Sequence, residues 1–549
     1  MDMSILEATK EKGLGTQAHP LNIYYRGSLD TCNYTCSYCA FGRKSSLLAL
    51  GKDRIAWERF IARIEGAPKV AVRIFLLPYG EAMIHDYYVE GVLRLVQLPQ
   101  VTGICCQTNL SFSVNHFLEA VRECQVSTGK LKFWASFHPE MVKPEVFVRK
   151  VHQLWEQGIE VGVGVVGDPV NLEIIRRLRS ELDCGIYLFI NAMEGLKRPL
   201  TYTEKKEFEE IDNLFLYDLS NFEAAPTVCR GGKDAFFVDA KGMVYACPRS
   251  RIALGDFYHE ESTDTSEKQI ENKLSVFGQQ VICRKKVCDC YIAYSNLPGT
   301  PLARLMGNGL FWRIPEKKKV SAIFFDIDGT LLLANGMLPE RYITALRHFA
   351  AKIPLFIATS LPVSYAKQRL GHYFSLFKGG VFASGAHVML EERNEYIFIA
   401  DPSMAQYVLE HLPEMETYRI RRYDAEDTPF KYSITAPMIG KAADLAFSLS
   451  EKEYKVCHER RLVTLVDRKA GKDSGLLRIC QLEGLNPHEV LAVGNTMQDA
   501  PMMSVAGHSC AVLDAEEELK LFSDVVLNPD MLPAFFSAMN EKQDNRTKI

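Results

Sequence analysis

Between residues 20 and 200, short runs of β-branched and aromatic residues alternate with longer polar stretches whose apolar positions recur at helical spacing. The apolar runs predict strands at Leu21–Arg26, Val70–Leu77, Gly103–Thr108, Lys132–Ser136, Glu160–Val166 and Gly185–Ile190. The helical spacing predicts helices over Val114–Cys124, Glu145–Glu156 and Leu172–Leu182. Strands alternating with helices are the pattern of parallel βαβ units. Six such units over 18–205 suit an α/β architecture, a partial (β/α)6 barrel with its chemistry at the carboxyl ends of the strands. From 206 to 310 this rhythm is lost and cysteines appear, with a hairpin predicted from Ala235–Asp239 and Met243–Ala246 around Lys241-Gly242. The charged run Arg313–Lys319 predicts a linker over 311–319. Ser321–Phe325 then opens a second α/β unit over 320–540.

Composition narrows this picture. A chain of 549 residues is too long for one core. Its 47% apolar and 24% charged residues are those of an ordinary globular protein. The formal net charge is −4 and no basic stripe is interleaved with aromatics, so no nucleic-acid partner is expected. No apolar run reaches membrane-spanning length, and Met1–Gln17 lacks the apolar core of a secretion signal. The expected compartment is the cytoplasm, with no membrane partner. There, 15 cysteines point to metal or redox chemistry rather than disulfides. Seven of them (Cys105, Cys106, Cys124, Cys184, Cys457, Cys480, Cys510) sit in apolar surroundings and are expected to be buried core residues.

The other eight cluster. Cys32-x3-Cys36-x2-Cys39 follows the first predicted strand directly. Three thiolates at this spacing can hold three irons of a cuboidal cluster, leaving the fourth iron free to bind a small molecule. A zinc loop is the alternative, but zinc sites usually pair two Cys-x2-Cys units and no second unit is near. With Tyr38 before the last cysteine, the motif resembles that of the radical S-adenosylmethionine (SAM) superfamily, whose barrels are TIM-like. The resemblance implies a [4Fe-4S] cluster on Cys32, Cys36 and Cys39, SAM bound at its open iron, and an external electron donor of the flavodoxin or ferredoxin kind. The family's Gly-Gly-Glu-like motif corresponds to Tyr79-Gly80-Glu81, with Tyr79 in place of the first glycine. Gly80 and Glu81 would then contact SAM. Thr108, Asn109 and Ser136 end strands where the family often contacts SAM or substrate, and strand capping is the alternative for these three. The glycines of Gly162–Gly167 could let adenine approach the backbone.

Cys229-x12-Gly242-x4-Cys247, followed by Cys283-x4-Cys288-x-Cys290, resembles the SPASM and Twitch extensions of radical SAM enzymes. That likeness implies a second, auxiliary [4Fe-4S] cluster held by four of these five cysteines. A structural zinc is the alternative.

In the second unit, Ile323–Phe325 is an apolar run ending in Asp326-Ile-Asp328-Gly329-Thr330. Strand alternation aims both carboxylates to one side, at the carboxyl edge of a sheet. Asp326 could attack phosphorus and bind Mg²⁺, and Asp328 could protonate the leaving group. Leu355–Thr359 ends a strand in a hydroxyl, Gly471-Lys472 offers a cation ahead of a helix, and Leu491–Gly494 leads into Asn495-Thr-Met-Gln-Asp499. These four motifs in this order resemble the haloacid dehalogenase (HAD) phosphatase superfamily, a Rossmann-like fold, with an α/β cap of the Cof type over about 385–465. The resemblance implies Asp326 as nucleophile, Asp328 as acid/base, Thr359 and Lys472 as phosphate holders, and Asp326, Asp328, Asn495 and Asp499 as the Mg²⁺ site. Asn495 stands where the family has aspartate, which predicts weaker metal binding.

Together these readings predict a bifunctional enzyme. Its radical SAM unit would modify a small, phosphorylated metabolite and its HAD unit would hydrolyse a phosphomonoester. The alternative is a radical SAM maturase of peptides whose HAD unit is weakly active or a non-catalytic binding module.

Overall fold

The computed structural model describes residues 20–39, 47–68, 70–193, 195–196, 198–220, 222–223, 231–232, 235–250, 253–258, 287–288, 301–390, 395–398, 407–408, 410, 417–425, 428–449 and 454–538. The chain forms two compact units, Met1–Pro315 and Glu316–Ile549.

In the first unit the strands β1 (Leu21–Arg26), β2 (Val72–Leu76), β3 (Val101–Thr108), β4 (Leu131–Phe137), β5 (Glu160–Gly167) and β6 (Leu188–Ala192) pair in parallel, in chain order. Parallel neighbours need a crossover, and helices supply it. They are α1 (Leu47–Glu65), α2 (Asp86–Gln97), α3 (Val114–Glu123), α4 (Pro144–Trp155) and α5 (Leu172–Glu181). The last strand starts three residues later than its apolar run predicts. Asp183 accepts the Gly185 N–H, and the Ile186 N–H closes a turn on the Asp183 carbonyl, so this segment is a bend.

The predicted hairpin forms as β7 (Ala235–Asp239) and β8 (Met243–Tyr245), with Gly242 at φ +89° in its turn. It is not set apart from the first six strands: β7 pairs in parallel with β1, and β9 (Ala253–Asp256) continues the same sheet. Phe236, Val238, Val244 and Phe257 belong to the core that contains Trp57 and Phe60 of α1. The free edge of β1 is thereby covered.

The expected linker over 311–319 is mostly structured. A 3-10 helix runs Gly307–Trp312, and Lys318–Val320 pairs with Phe536–Ala538. Trp312 packs over Gly103, where a side chain on that glycine would come within 2.8 Å of the ring. Of the seven scattered cysteines, Cys105, Cys106, Cys480 and Cys510 are buried as expected. Cys124 is exposed, because it caps the C-terminus of α3 beyond its apolar face, and Cys184 and Cys457 are half-buried. No helix among the described residues is long and apolar enough to cross a membrane.

The second unit is an eight-stranded sheet with an inserted second sheet. The main sheet comprises β10 (Ala322–Phe325), β11 (Leu355–Ala358), β12 (Gly379–Phe382), β13 (His387–Leu390), β14 (Glu395–Phe398), and, after the insertion, β19 (Val490–Gly494), β20 (His508–Ala511) and β21 (Val525–Val526). The inserted sheet comprises β15 (Arg419–Ala425), β16 (Thr428–Thr435), β17 (Tyr454–Glu459) and β18 (Leu462–Asp467), in the order β15-β16-β18-β17. The insertion expected from about 385 thus begins with two strands of the main sheet, and the separate sheet starts only at Arg419.

Main-sheet order is β14-β13-β12-β11-β10-β19-β20-β21. The chain leaves β10 first towards β11 and later returns on its other side as β19. Such a reversal opens a crevice at the carboxyl ends of the strands, where ligands of open α/β sheets bind.

Candidate functional site

Three of the C-terminal motifs leave the sheet at that crevice, since Asp326 follows β10, Thr359 follows β11 and Asn495 follows β19. Lys472 begins α6 (Lys472–Glu483) and is brought to the same place. Its ammonium donates to Asp326 Oδ1 at 2.7 Å and to Asp499 Oδ1 at 2.6 Å. All three residues are buried, and Asp499 is fully so. Burial lifts the Asp326 carboxyl to about 7, with Lys472 opposing and the Asp499 charge adding to the rise. Lys472 is held well above its ordinary value: desolvation acts against its charge, and the two carboxylates outweigh it.

Backbone geometry around this cluster is specialised. Ala383, Ser384 and Gly385 all have positive φ (52°, 60° and 96°). The Ser384 N–H bonds to the Thr359 carbonyl, and a Cβ on Gly385 would lie 2.2 Å from the Gly471 backbone. This left-handed turn therefore fastens the Thr359 loop and seats the start of α6. The Thr359 hydroxyl accepts the Leu361 N–H and keeps its own proton to donate. Gly329, at φ +81°, lets the Asn495 side chain lie against the Asp326–Thr330 loop, and Thr330 donates to Asn495 Oδ1 at 3.3 Å.

Two expected roles look different in this arrangement. Asp499 is not directed at a cation site. Its Oδ1 takes Lys472, and its Oδ2 accepts the N–H groups of Asn495 (2.9 Å) and Thr496 (3.1 Å). It positions Lys472 and shapes the loop. Asp328 is exposed and held by the Arg369 guanidinium through Oδ1, with Nε at 3.1 Å. For Mg²⁺ the donor set is then Asp326 and the amide oxygen of Asn495. These hard oxygens carry a single charge, a fit for a weakly held ion.

In the first unit the cysteine loop follows β1. Cys32 Sγ accepts the Tyr34 N–H at 3.4 Å and an Asn109 amide N–H at 3.6 Å. Burial pushes the Cys36 thiol up to about 11, with Cys39 and Cys32 adding to it, so the three sulfurs feel one another. The donor set, three thiols with the Tyr34 and Asn109 N–H groups on one sulfur, suits thiolate-bound iron or zinc alike. Among the described residues the buried Thr31 Oγ1 and Asn191 Oδ1 meet no hydrogen-bond partner, at the carboxyl ends of β1 and β6.

The loop is fixed on both sides. Gly80 lies so close to Thr31 that a Cβ would sit 1.7 Å from the Thr31 carbonyl oxygen, and the Glu81 N–H bonds to that oxygen. Tyr38 meets His138 Nδ1 at 2.9 Å, and Glu140 accepts from the Ser37 N–H and hydroxyl. Sequence reasoning missed His138 and Glu140, which follow β4 and carry no motif.

Other expected contacts resolve into structural roles. Glu81 is buried and accepts from the Thr108 hydroxyl (2.7 Å), the Met83 N–H (3.1 Å) and the Asn109 N–H (2.5 Å). Burial raises its carboxyl to about 7 against those three bonds. It clamps the ends of β2 and β3 together. Tyr79 is exposed under the Arg26 guanidinium, 4.3 Å from ring centroid to Cζ, so the bulk that replaces glycine points outward. Gly162 and Gly164 make room for Trp134, since Cβ atoms there would meet its ring at 3.2 and 2.8 Å. That glycine pattern serves packing rather than a ligand. Ser136 lies on β4 opposite Gly164. Of the auxiliary cysteines, Cys247 and Cys288 are half-buried, while Cys229, Cys283 and Cys290 lie outside the described residues.

A match to the haloacid dehalogenase-like hydrolase family covers residues 323–433 and 457–530. The chain is 23% identical over 241 residues to a phosphoglycolate phosphatase of Natronomonas pharaonis, covering 41% of this chain and 100% of that protein. It is 27% identical over 218 residues to a phosphoglycolate phosphatase of Archaeoglobus fulgidus, covering 39% of this chain and 92% of that protein. A crystal structure of a haloacid dehalogenase-like hydrolase from Bacteroides thetaiotaomicron aligns with 39% of this chain and 96% of its own, at 21% identity and a TM-score of 0.34. The C-terminal unit thus contains a haloacid dehalogenase-like hydrolase domain.

Proposed function

We propose that the chain is a bifunctional enzyme: its C-terminal unit hydrolyses a phosphomonoester, and its N-terminal unit, as a partial barrel, performs radical SAM chemistry on a related small metabolite. The observation that carries the first half is the buried Asp326–Lys472–Asp499 cluster beside Thr359 at the switch point of the sheet. Asp326 attacks phosphorus, forming an aspartyl phosphate as the ester P–O bond breaks. Asp328, once it swings free of Arg369 and takes up a proton, gives that proton to the departing alkoxide. It then takes one from the water that attacks phosphorus, as the aspartyl P–O bond breaks to release inorganic phosphate and restore Asp326. Lys472 and Thr359 neutralise and bond the phosphoryl oxygens. Mg²⁺, held by Asp326 and Asn495, supplies charge stabilisation of the phosphoryl group when bound. The relatives named phosphoglycolate phosphatase support a small phosphorylated substrate.

The second half is supported by the Cys32, Cys36 and Cys39 loop and its anchors. A [4Fe-4S] cluster with SAM would supply a 5′-deoxyadenosyl radical, with an external flavodoxin- or ferredoxin-like donor as the electron source. The residues of the chain do the holding. Asn109 and the Tyr34 amide bond Cys32, His138 orients Tyr38, Glu140 pins Ser37, and Gly80 packs the second strand against the loop.

Two experiments test these halves separately. Anaerobically reconstituted full-length protein is expected to bind about eight irons with an auxiliary cluster, or about four without one, and to release 5′-deoxyadenosine with dithionite and SAM. Replacing Cys32, Cys36 and Cys39 together by alanine is expected to remove about four irons and all 5′-deoxyadenosine. An unchanged iron count in that variant overturns the assignment.

For the phosphatase half, Asn495→Asp is expected to lower the half-saturating Mg²⁺ concentration by about tenfold or more, because a second charge joins the donor set. Without Mg²⁺ the same variant is expected to melt lower than the parent, since three carboxylates then crowd one ammonium. If the Mg²⁺ requirement does not move, Asn495 is not a ligand.

A further inference from the structure

Strand β16 buries a lysine on the face its pattern leaves to polar residues. Tyr432 and Ile434 point into the core of the inserted sheet, with Leu445 and Leu449 of its helix Ile439–Leu449. Alternation turns Lys431 to the opposite face. There it is buried at 4% exposure. Its cross-strand neighbours are Tyr423 and Val466, and its ammonium lies 5.9 Å from the Tyr423 ring centroid. Phe430, Tyr423 and Val466 pack with Ala383, Ala386 and Ala470, which ties this end of the inserted sheet to the left-handed turn after β12.

The ammonium donates to the carbonyl of Ser360, the residue after the phosphate-holding Thr359. Lys472, the other buried cation there, is matched by two carboxylates. Lys431 forms no ion pair with any carboxylate among the described residues. Burial pulls its ammonium down to about 8, with Lys472 adding repulsion and Cys457 opposing it. It therefore still carries charge at neutral pH. A buried cation that meets a carbonyl but, among the described residues, no carboxylate, beside a phosphate loop, is suited to receive an anion.

We propose that Lys431 receives a second anionic group, a carboxylate or a phosphate, carried on the alcohol part of the substrate, and so selects phosphorylated acids over neutral phosphomonoesters. The phosphoryl group itself is already served by Thr359 and Lys472, whereas Lys431 reaches the loop after Thr359 from the inserted sheet. This assignment rests on the phosphatase reading for where the phosphoryl group lies.

The test uses full-length protein with Mg²⁺ and three non-hydrolysable probes of similar length: 3-phosphonopropionate, ethane-1,2-bisphosphonate and propylphosphonate. Calorimetry is expected to show one of the acidic probes bound at least about tenfold more tightly than propylphosphonate, and the better of the two identifies the second group. In Lys431→Gln and Lys431→Met that ratio is expected to collapse to about threefold or less. Because the readout is a ratio within one protein sample, a general loss of folded material does not imitate it. A wild-type protein without preference, or a preference that survives both substitutions, overturns the proposal, as does failure of all three probes to bind. If the preference holds but no phosphomonoester is turned over, the phosphatase reading fails while Lys431 keeps its role in a binding module.

Discussion

Asp326→Asn is expected to reduce Mg²⁺-dependent phosphate release by at least about 10³-fold, while leaving any 5′-deoxyadenosine formation by the N-terminal unit intact. The substitution keeps the shape of the side chain and removes only its charge and nucleophilicity. A merely structural aspartate would tolerate it far better. The pH profile gives a second signature. Burial lifts the Asp326 carboxyl to about 7, and the nucleophile must be ionised. Below that value the group takes up a proton and the rate falls, so kcat/KM for free enzyme is expected to rise with pH through about 7. Raising Mg²⁺ favours the carboxylate and is expected to move this limb to lower pH. A parent enzyme with a flat acid limb, or an asparagine variant retaining a tenth of the rate, would remove Asp326 from the role of nucleophile.

Lys472→Met is expected to have the largest effect on stability. It removes the one cation between Asp326 and Asp499, both buried, and leaves two carboxylates facing each other. Stripping one partner from such a buried cluster costs about 3–5 kcal/mol. Denaturant unfolding of the full chain should show the transition of the C-terminal unit displaced and the other unchanged. Adding Asp499→Asn to Lys472→Met is expected to restore part of the loss, because only one buried charge then remains without a partner. If Lys472→Met unfolds at the parent's midpoint, the cluster is not charged as described.

Much of the fold was legible in the order of residues. Apolar runs of four to eight residues set apart by helical stretches gave β1 to β5 within about two residues, because such runs bury strands between helices whatever the rest of the chain does. Of the candidate HAD site, Asp326, Thr359 and Lys472 were legible, because each sits at a strand end or helix start that its own neighbours define. The placement of Cys32, Cys36 and Cys39 directly after β1 was legible in the same way. Lys431, His138 and Glu140 were not. Each is a polar residue with no local motif, and what matters about it is a partner far away: Ser360, Tyr38 and Ser37 are separated from them by 71, 100 and 103 residues.

By itself, then, the sequence determined the alternation of elements, the order of the motifs and the residue types available for chemistry. These depend on interactions within a few residues. Tertiary structure decided which groups are already engaged. It turned Asp499 and Glu81 from expected ligands into clamps, spent Gly162 and Gly164 on Trp134, and joined the hairpin of β7 and β8 to the edge of β1. A side chain's role is set by which donors and charges surround it once it is buried, and those come from segments that only folding brings together.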